Sequence, residues 1–268
     1  MRILYVSTEL NPYTPENTLS NASLELPRKA SAEGNEVRIF MPKFGMINER
    51  RHQLHEVIRL SGMNIIINDL DQPLIIKVAT LPTEKMQVYF IDNDDYFKHK
   101  GIYEDEETGV FFENNDERAI FFTKGILETV KKLNWKPDII HAQGWMSSFL
   151  PLYLKKYYSD DAFFNEVKMV YSVFDTPFKG ELSSEVTKKV AFDKIAKKSF
   201  KHLEKPNFNN ILKLGVDHSD LVIQGDEVIP EEVRDYIQST KKLFKPFDSE
   251  LPLKDLYAEI IKGKEDEE

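Results

Sequence analysis

The sequence predicts an α/β fold built on a doubly wound, mostly parallel sheet. Three observations carry that expectation. Short runs rich in β-branched and aromatic residues recur at 2–6 (RILYV), 36–41 (EVRIFM), 86–91 (MQVYFI) and 167–173. They are too brief for helices and nearly continuous in apolar character, as strands buried on both faces are. Between the first two runs lies a helical segment, so the chain opens as strand, helix, strand with the right-handed crossover of a parallel pair. The stretch KPDIIHAQGWMSSFLPLYLKKYY at 136–158 then reads strand, loop, helix. In open α/β sheets ligands sit beyond the carboxyl ends of the strands, which makes the loop at 141–144 the first place to look for function.

The first strand ends in Ser7, Thr8 and Glu9, and a loop through Asn11, Pro12, Pro15 and Asn17 follows. Ser20 or Asn21 supplies the cap of a helix carrying Leu24, Pro27 near its start, Ala30 and Ala32, and Gly34 with Asn35 stops it. After the second strand, short runs at 55–60, 64–67, 74–79 and 86–91 follow too closely for crossover helices between all of them. That spacing predicts an antiparallel excursion which rejoins the sheet at MQVYFI. Residues 92–101 (DNDDYFKHKG) form a polar loop with two aromatics, continued by an acidic, Gly-interrupted connection over 103–115. The helix over 116–133 buries the stripe Ile120, Phe121, Ile126, Leu127 and Val130.

In the central stretch, Ile139 and Ile140 make the strand, and Trp145, Phe149, Leu152 and Tyr153 recur at helical spacing. Lys155 and Lys156 stand near the end of that helix, where its dipole favours cations. The strand at 167–173 runs into the loop FDTPFKG at 174–180, and the Lys-rich segment 183–206 is either helical or a surface element. A helix at 209–216 stopping near Gly215, a strand at 218–224 and a helix opened by Pro230, with Glu231 and Glu232 at its positive end, come next. An amphipathic helix at 253–261 precedes a frayed tail at 262–268.

Composition narrows the function classes. With 36 basic against 45 acidic residues the net charge is −9, which argues against nucleic acid or an anionic membrane as the main partner. The chain has no cysteine, so disulfides and thiolate metal sites are excluded and a reducing compartment is permitted. No apolar stretch approaches the ~20 residues of a membrane helix, and no signal peptide is visible. A cytoplasmic protein acting on a small molecule or another protein is expected. No linker rich in Gly, Ser or Pro divides the chain, which favours one domain over 1–268.

The segments RILYVSTELNPY, EVRIFMPKFG, MQVYFIDNDDYFKHKGIY, NDERAIFFTKGILE, PDIIHAQGWMSSFLPLYLK and NILKLGVDHSDLVIQGDEVIPEEV follow one another along nearly the whole chain. Their order and spacing resemble the N-terminal half of the bacterial glycogen and plant starch synthases, the ADP-glucose-dependent glycosyltransferases of family five. The central segment, for example, is similar to that family's PDivHaHDWhtal-p-yLk. The resemblance implies a Rossmann-like domain that is one half of a GT-B type enzyme and mainly holds the glucan acceptor. It also implies a second domain, binding ADP-glucose and stabilising the leaving diphosphate, which these residues do not include.

The same comparison shows departures. Where the family has K-T-G-G-L-x-D, this chain reads Pro15, Glu16, Asn17, Thr18, Leu19, Ser20, Asn21. The lysine and both glycines, which would let backbone N–H groups approach a phosphate, are gone, and Glu16 would repel a diphosphate. In the central loop Gln143, Gly144 and Met146 replace a histidine, an aspartate and a histidine. The family's T-x-H-N-l-a-y-Q-G becomes the run from Ser172 to Gly180, without the histidine that would meet the donor glucose.

The residues left as candidates for acceptor or glucan binding are Glu9, Tyr96, His141, Trp145 and Asn210; catalytic residues are not assigned. Each has a plainer reading. Glu9 caps a turn; His141 bonds a neighbouring loop; Trp145 anchors the core; Asn210 caps a helix. Tyr96 and Phe97, as aromatics in a polar loop, are expected to be exposed and to stack on sugar. No cofactor and no metal site is indicated. Three functions remain open: a synthase half active only with a separate donor domain, a non-catalytic glucan-binding or regulatory pseudoenzyme, and a structural interaction domain. If Phe174, Pro177 and Phe178 face solvent, the chain is expected to associate with a second protein or with itself; otherwise that loop folds inward.

Overall fold

The computed structural model describes residues 1–81 and 83–262. Among the described residues ten strands join one sheet: β1 (Arg2–Ser7), β2 (Glu36–Pro42), β3 (His55–Glu56), β4 (Met63–Ile67), β5 (Leu70–Thr80), β6 (Gln87–Asp92), β7 (Ile139–Gln143), β8 (Lys168–Val173), β9 (Leu221–Gln224) and β10 (Leu243–Lys245). Their order is β10-β9-β8-β7-β1-β2-β6-β5-β3, with β4 paired to β5. Pairing is parallel from β10 to β6, whereas β5, β4 and β3 make the expected antiparallel excursion. The chain first builds outward from β1 through β2 to β6, then returns to lay β7 against the other edge of β1. The order therefore reverses between β1 and β7, and that is the switch point of the sheet.

The central strands are buried on both faces, with Ile3 to Val6, Ile139, Ile140 and Val170 wholly inaccessible. That burial explains why they show apolar runs in place of alternation. Helices cover the faces: α1 (Thr18–Ala32), α2 (Asp94–Phe97), α3 (Asn115–Lys132), α4 (Phe149–Leu152), α5 (Val186–Phe192), α6 (Phe208–Asp217), α7 (Glu231–Ser239) and α8 (Leu253–Lys262). The tail expected at 262–268 lies, from residue 263 on, outside the described residues.

Several boundaries differ from expectation for identifiable reasons. Helix α1 is capped by Asn17, ahead of Ser20 and Asn21: Ser20 N donates to Asn17 Oδ1 at 2.8 Å, and Asn17 N donates to Ser20 Oγ at 2.9 Å. This reciprocal box starts the helix one turn early and leaves Pro27 in its interior. The strand expected at 55–60 shrinks to β3 because residues from Val57 to Ser61 close into turns. The single helix expected after Trp145 is three short pieces, a 3₁₀ turn at Met146–Ser148, α4, and a π-helical turn at Tyr153–Tyr157. Pro151 has no N–H to offer the helical ladder, which forces the change of register. The Lys-rich segment resolves into α5 and a kinked 3₁₀ run at Lys197–Glu204. Strand β10 was not expected; three half-buried residues are too few to show a period.

Gly215 does not stop α6. It lies inside the helix, where an added Cβ would stand 2.6 Å from Cε1 of Tyr171 on β8. The glycine lets the helix lie directly on the Tyr171 ring. Gly215→Ala should destabilise the chain by about 1–3 kcal/mol, the usual cost of overpacking a dense core; urea denaturation midpoints of the two proteins check this.

Candidate functional site at the strand ends

The carboxyl ends of β1, β7 and β8 converge at the switch point. Glu9, two residues past β1, is only 4 % exposed. Its Oε1 accepts a hydrogen bond from Tyr103 Oη at 3.0 Å, and its Oε2 accepts one from Asn17 Nδ2. Burial pushes the Glu9 carboxyl above its ordinary range, with the two donors pulling the other way. Tyr103 is fixed in turn from behind. Its hydroxyl also bonds Thr8, and its carbonyl accepts Asn115 Nδ2 at 2.7 Å. Asn115 Oδ1 accepts from Arg118, whose Nε donates to the Tyr96 carbonyl at 2.7 Å.

Arg118 is fully buried and is held by carbonyls and by the rings of Phe44, Phe97 and Phe112 at 5.6, 5.4 and 5.0 Å. Burial without a carboxylate lowers its guanidinium to about 10, and one of its terminal nitrogens has no partner.

Trp145 is the hub of an aromatic cluster in front of Glu9. Its ring lies 4.9 Å from Tyr103 and 4.8 Å from Phe178, and Phe178 stacks on Phe111 at 4.8 Å and meets Phe208 edge-on at 5.8 Å. Trp145 itself is wholly buried, as the core-anchor reading requires. The partly exposed Tyr103, Phe111 and Phe178 instead line an open cavity of about 450 Å³, together with Pro177, Lys100 and the acidic run 104–106. Sequence reasoning missed Tyr103 and Phe111 as site residues. The available signal was the pair of aromatics inside an acidic, Gly-interrupted connection.

The structure separates the other candidates from this cluster. His141 lies inside β7 and not in the loop after it. Its Nδ1 is 2.7 Å from Tyr257 Oη and its Nε2 is 2.7 Å from Ser172 Oγ, while Tyr257 Oη is 2.9 Å from Tyr5 Oη. This buried chain ties α8 to three central strands. The expected exposure of Tyr96 and Phe97 is corrected: both are buried, because Asn93 caps the short helix α2 and turns their rings onto Phe121. The Tyr96 hydroxyl donates to Glu117 at 3.1 Å. Asn210 sits in the first turn of α6, where its N–H donates to the cap Asn207 and its Nδ2 donates to the Lys205 carbonyl at 2.7 Å. Phe174 is buried and Phe178 is turned inward, so the 174–180 loop folds over the cluster, leaving Pro177 exposed. Among the described residues no group of three or more His, Asp or Glu could hold a metal ion, and no helix is long and apolar enough to cross a membrane.

A family model described as the starch synthase catalytic domain matches residues 2–243. This chain belongs to that family. Among its family relatives, the glycogen synthase of Chlorobium limicola is 36% identical over 232 residues, covering 87% of this chain and 47% of the relative. The glycogen synthase of Chlorobaculum tepidum is 36% identical over 221 residues, covering 82% of this chain and 45% of the relative. The chain thus spans about half the length of the curated relatives it matches. Within the starch synthase family the fold likeness extends to a solved structure, the catalytic domain of Starch Synthase IV from Arabidopsis thaliana bound to ADP and acarbose. That likeness has a TM-score of 0.68 at 17% identity, covering 82% of this chain and 44% of the other. The family model and the solved structure thus agree: the chain belongs to the starch synthase catalytic-domain family and shares the mostly parallel α/β fold of that structure over 82% of its length.

His141 supplies a pH test. Burial lowers its imidazolium to about 3 from an ordinary 6.5, so the folded chain holds it neutral while the unfolded chain protonates it. Its contribution is complete above pH 6.5 and is lost as pH falls towards 3. Between those limits wild type should lose about 1.4 kcal/mol per pH unit more than His141→Gln. Urea unfolding of both proteins from pH 7.5 to 4.5 measures the difference in slope.

Proposed function

We propose that this chain holds an α-glucan at the aromatic strand-end cavity, as the acceptor-binding part of a starch or glycogen synthase type glycosyltransferase, and does not transfer glucose by itself. The observation that carries this reading is the cavity of about 450 Å³ lined by Tyr103, Phe111 and Phe178, with the Tyr103 hydroxyl held by the buried Glu9 carboxyl. Partly exposed rings offer flat apolar faces to the C–H faces of glucose units, and the surrounding polar side chains can take up hydroxyls. Membership of the starch synthase family makes a glucan the natural occupant.

The reading without transfer rests on residues 15–18. The Asn17 side chain is committed to capping α1 and to Glu9, and no lysine stands there to meet a phosphate. Isothermal titration with maltoheptaose should show saturable binding, while an assay of radiolabelled ADP-glucose with glycogen should show no incorporation by these 268 residues above a buffer blank. Absence of maltoheptaose binding would favour a structural domain with no sugar site; turnover would favour an intact synthase.

Phe178→Ala removes the ring that joins Trp145 to Phe111 and should weaken maltoheptaose by about tenfold, or 1.4 kcal/mol. An unchanged affinity would place the glucan elsewhere.

A further inference from the structure

The N-terminus of the first helix of a doubly wound sheet faces the switch point and presents free N–H groups and a positive partial charge, the usual seat of a phosphate. In this chain that seat is taken by the protein's own groups. Asn17 Oδ1 and the Asn17 carbonyl already accept the N–H groups of Ser20 and Asn21. Asn17 Nδ2 donates to the Glu9 carboxylate. Thr18, the first residue of α1, adjoins the carboxylate of Asp226, which also accepts the Asp175 N–H at 2.7 Å. Both acids are at least nine-tenths buried; burial raises each carboxyl above its ordinary range, and the donors each one accepts pull the other way. Glu16 adds a third carboxylate on the same turn, where it accepts Asn11 Nδ2 at 3.3 Å.

Space is closed as well as charge. Leu19 packs into Gly144, whose φ is +79° and whose added Cβ would lie 2.8 Å from Leu19 Cδ2. The backbone approach that a glycine allows in this position is used to seat a leucine.

The polar groups left without partners at the carboxyl ends of β7 and β8 are neutral. Gln143, register partner of Ser7 and Ser172, is fully buried with both amide atoms unpartnered, and Trp145 Nε1 and Thr176 Oγ1 are unpartnered too. Such groups cost free energy, but they bring no cation to the strand ends that would offset the carboxylates.

We propose that Glu9 and Asp226 act as built-in anions at the N-terminus of α1, so that the strand-end site accepts uncharged polyhydroxyl ligands and turns away phosphorylated ones, nucleotide sugars included. This rests on the glucan-binding reading for the identity of the ligand accepted; the exclusion of phosphate rests on the acids and side-chain caps that occupy the helix N-terminus. A phosphate entering here would face two buried carboxylates at short range in a medium of reduced dielectric, where repulsion is far stronger than in water.

The test titrates the 268-residue chain with inorganic pyrophosphate, ADP and maltoheptaose in separate experiments. Wild type should bind neither pyrophosphate nor ADP at millimolar concentration. The isosteric double variant Glu9→Gln/Asp226→Asn should gain pyrophosphate affinity by about tenfold or more, as expected when like charges are removed from a confined site. If the double variant does not fold by circular dichroism, Asp226→Asn alone carries the test, with a gain of about threefold.

Binding of ADP or pyrophosphate to wild type overturns the inference, and so does a folded variant that gains nothing. Failure of maltoheptaose to bind wild type sinks the glucan reading and leaves the phosphate result to be judged by itself.

Discussion

The parallel pairing of β1 with β7 is the constraint on which the rest depends. It sets Tyr5 beside His141 and Ser7 beside Gln143, and it can form only if the residues between β2 and β7 fold away and return. Once formed, it fixes where the strand-end loops emerge. Glu9 leaves from one strand and Trp145 from the other, and Tyr103 closes the gap by bonding the first and packing on the second. The cavity in front of them is thus a consequence of register before it is a consequence of loop chemistry.

The same pairing has a cost that the chain meets with further structure. A histidine in the middle of a buried strand needs partners on both ring nitrogens. Tyr257 on α8 and Ser172 on β8 supply them, and Tyr5 completes the chain on β1. Helix α8 is thereby recruited to the sheet by a polar contact as well as by Leu253, Leu256 and Ile260, which are all buried. Arg118 plays a comparable part on the other side of the site. Its charge is spread over aromatic faces and carbonyls, and through Asn115 it steadies the segment that carries Tyr103. Buried polar groups of this kind favour one arrangement because the alternatives leave them unsatisfied.

Much of the frame was legible in the sequence, because strands buried on both faces leave a signal that survives without neighbours. RILYV, EVRIFM and MQVYFI all appear as strands, and the crowded runs between residues 55 and 91 do turn antiparallel. The site was legible only in part. Glu9 and Trp145 do come together, but through Tyr103, a long-range contact that no local pattern announces. Tyr96 misled because polar neighbours suggest exposure, while a four-residue helix capped by Asn93 is enough to turn a ring inward. Gly215 misled for the opposite reason. A glycine in a helical pattern suggests an end, and only the Tyr171 ring beneath it explains why it is interior.

The residues of the frame and those of the helix entrance are held by different physics. Ile3 to Val6 and Ile139 to Ala142 are fixed by burial on both sides, where a change of volume is felt throughout the sheet. Residues 15–18 lie at a helix entrance. There the backbone demands only that something satisfy the first N–H groups, and Asn17 with Ser20 does so as well as a bound anion would. The acids nearby have their own donors, Asn17 and Tyr103 for Glu9 and the Asp175 N–H for Asp226. None of these bonds belongs to the sheet ladder, so the strands stay where β1 and β7 put them whatever satisfies the helix entrance.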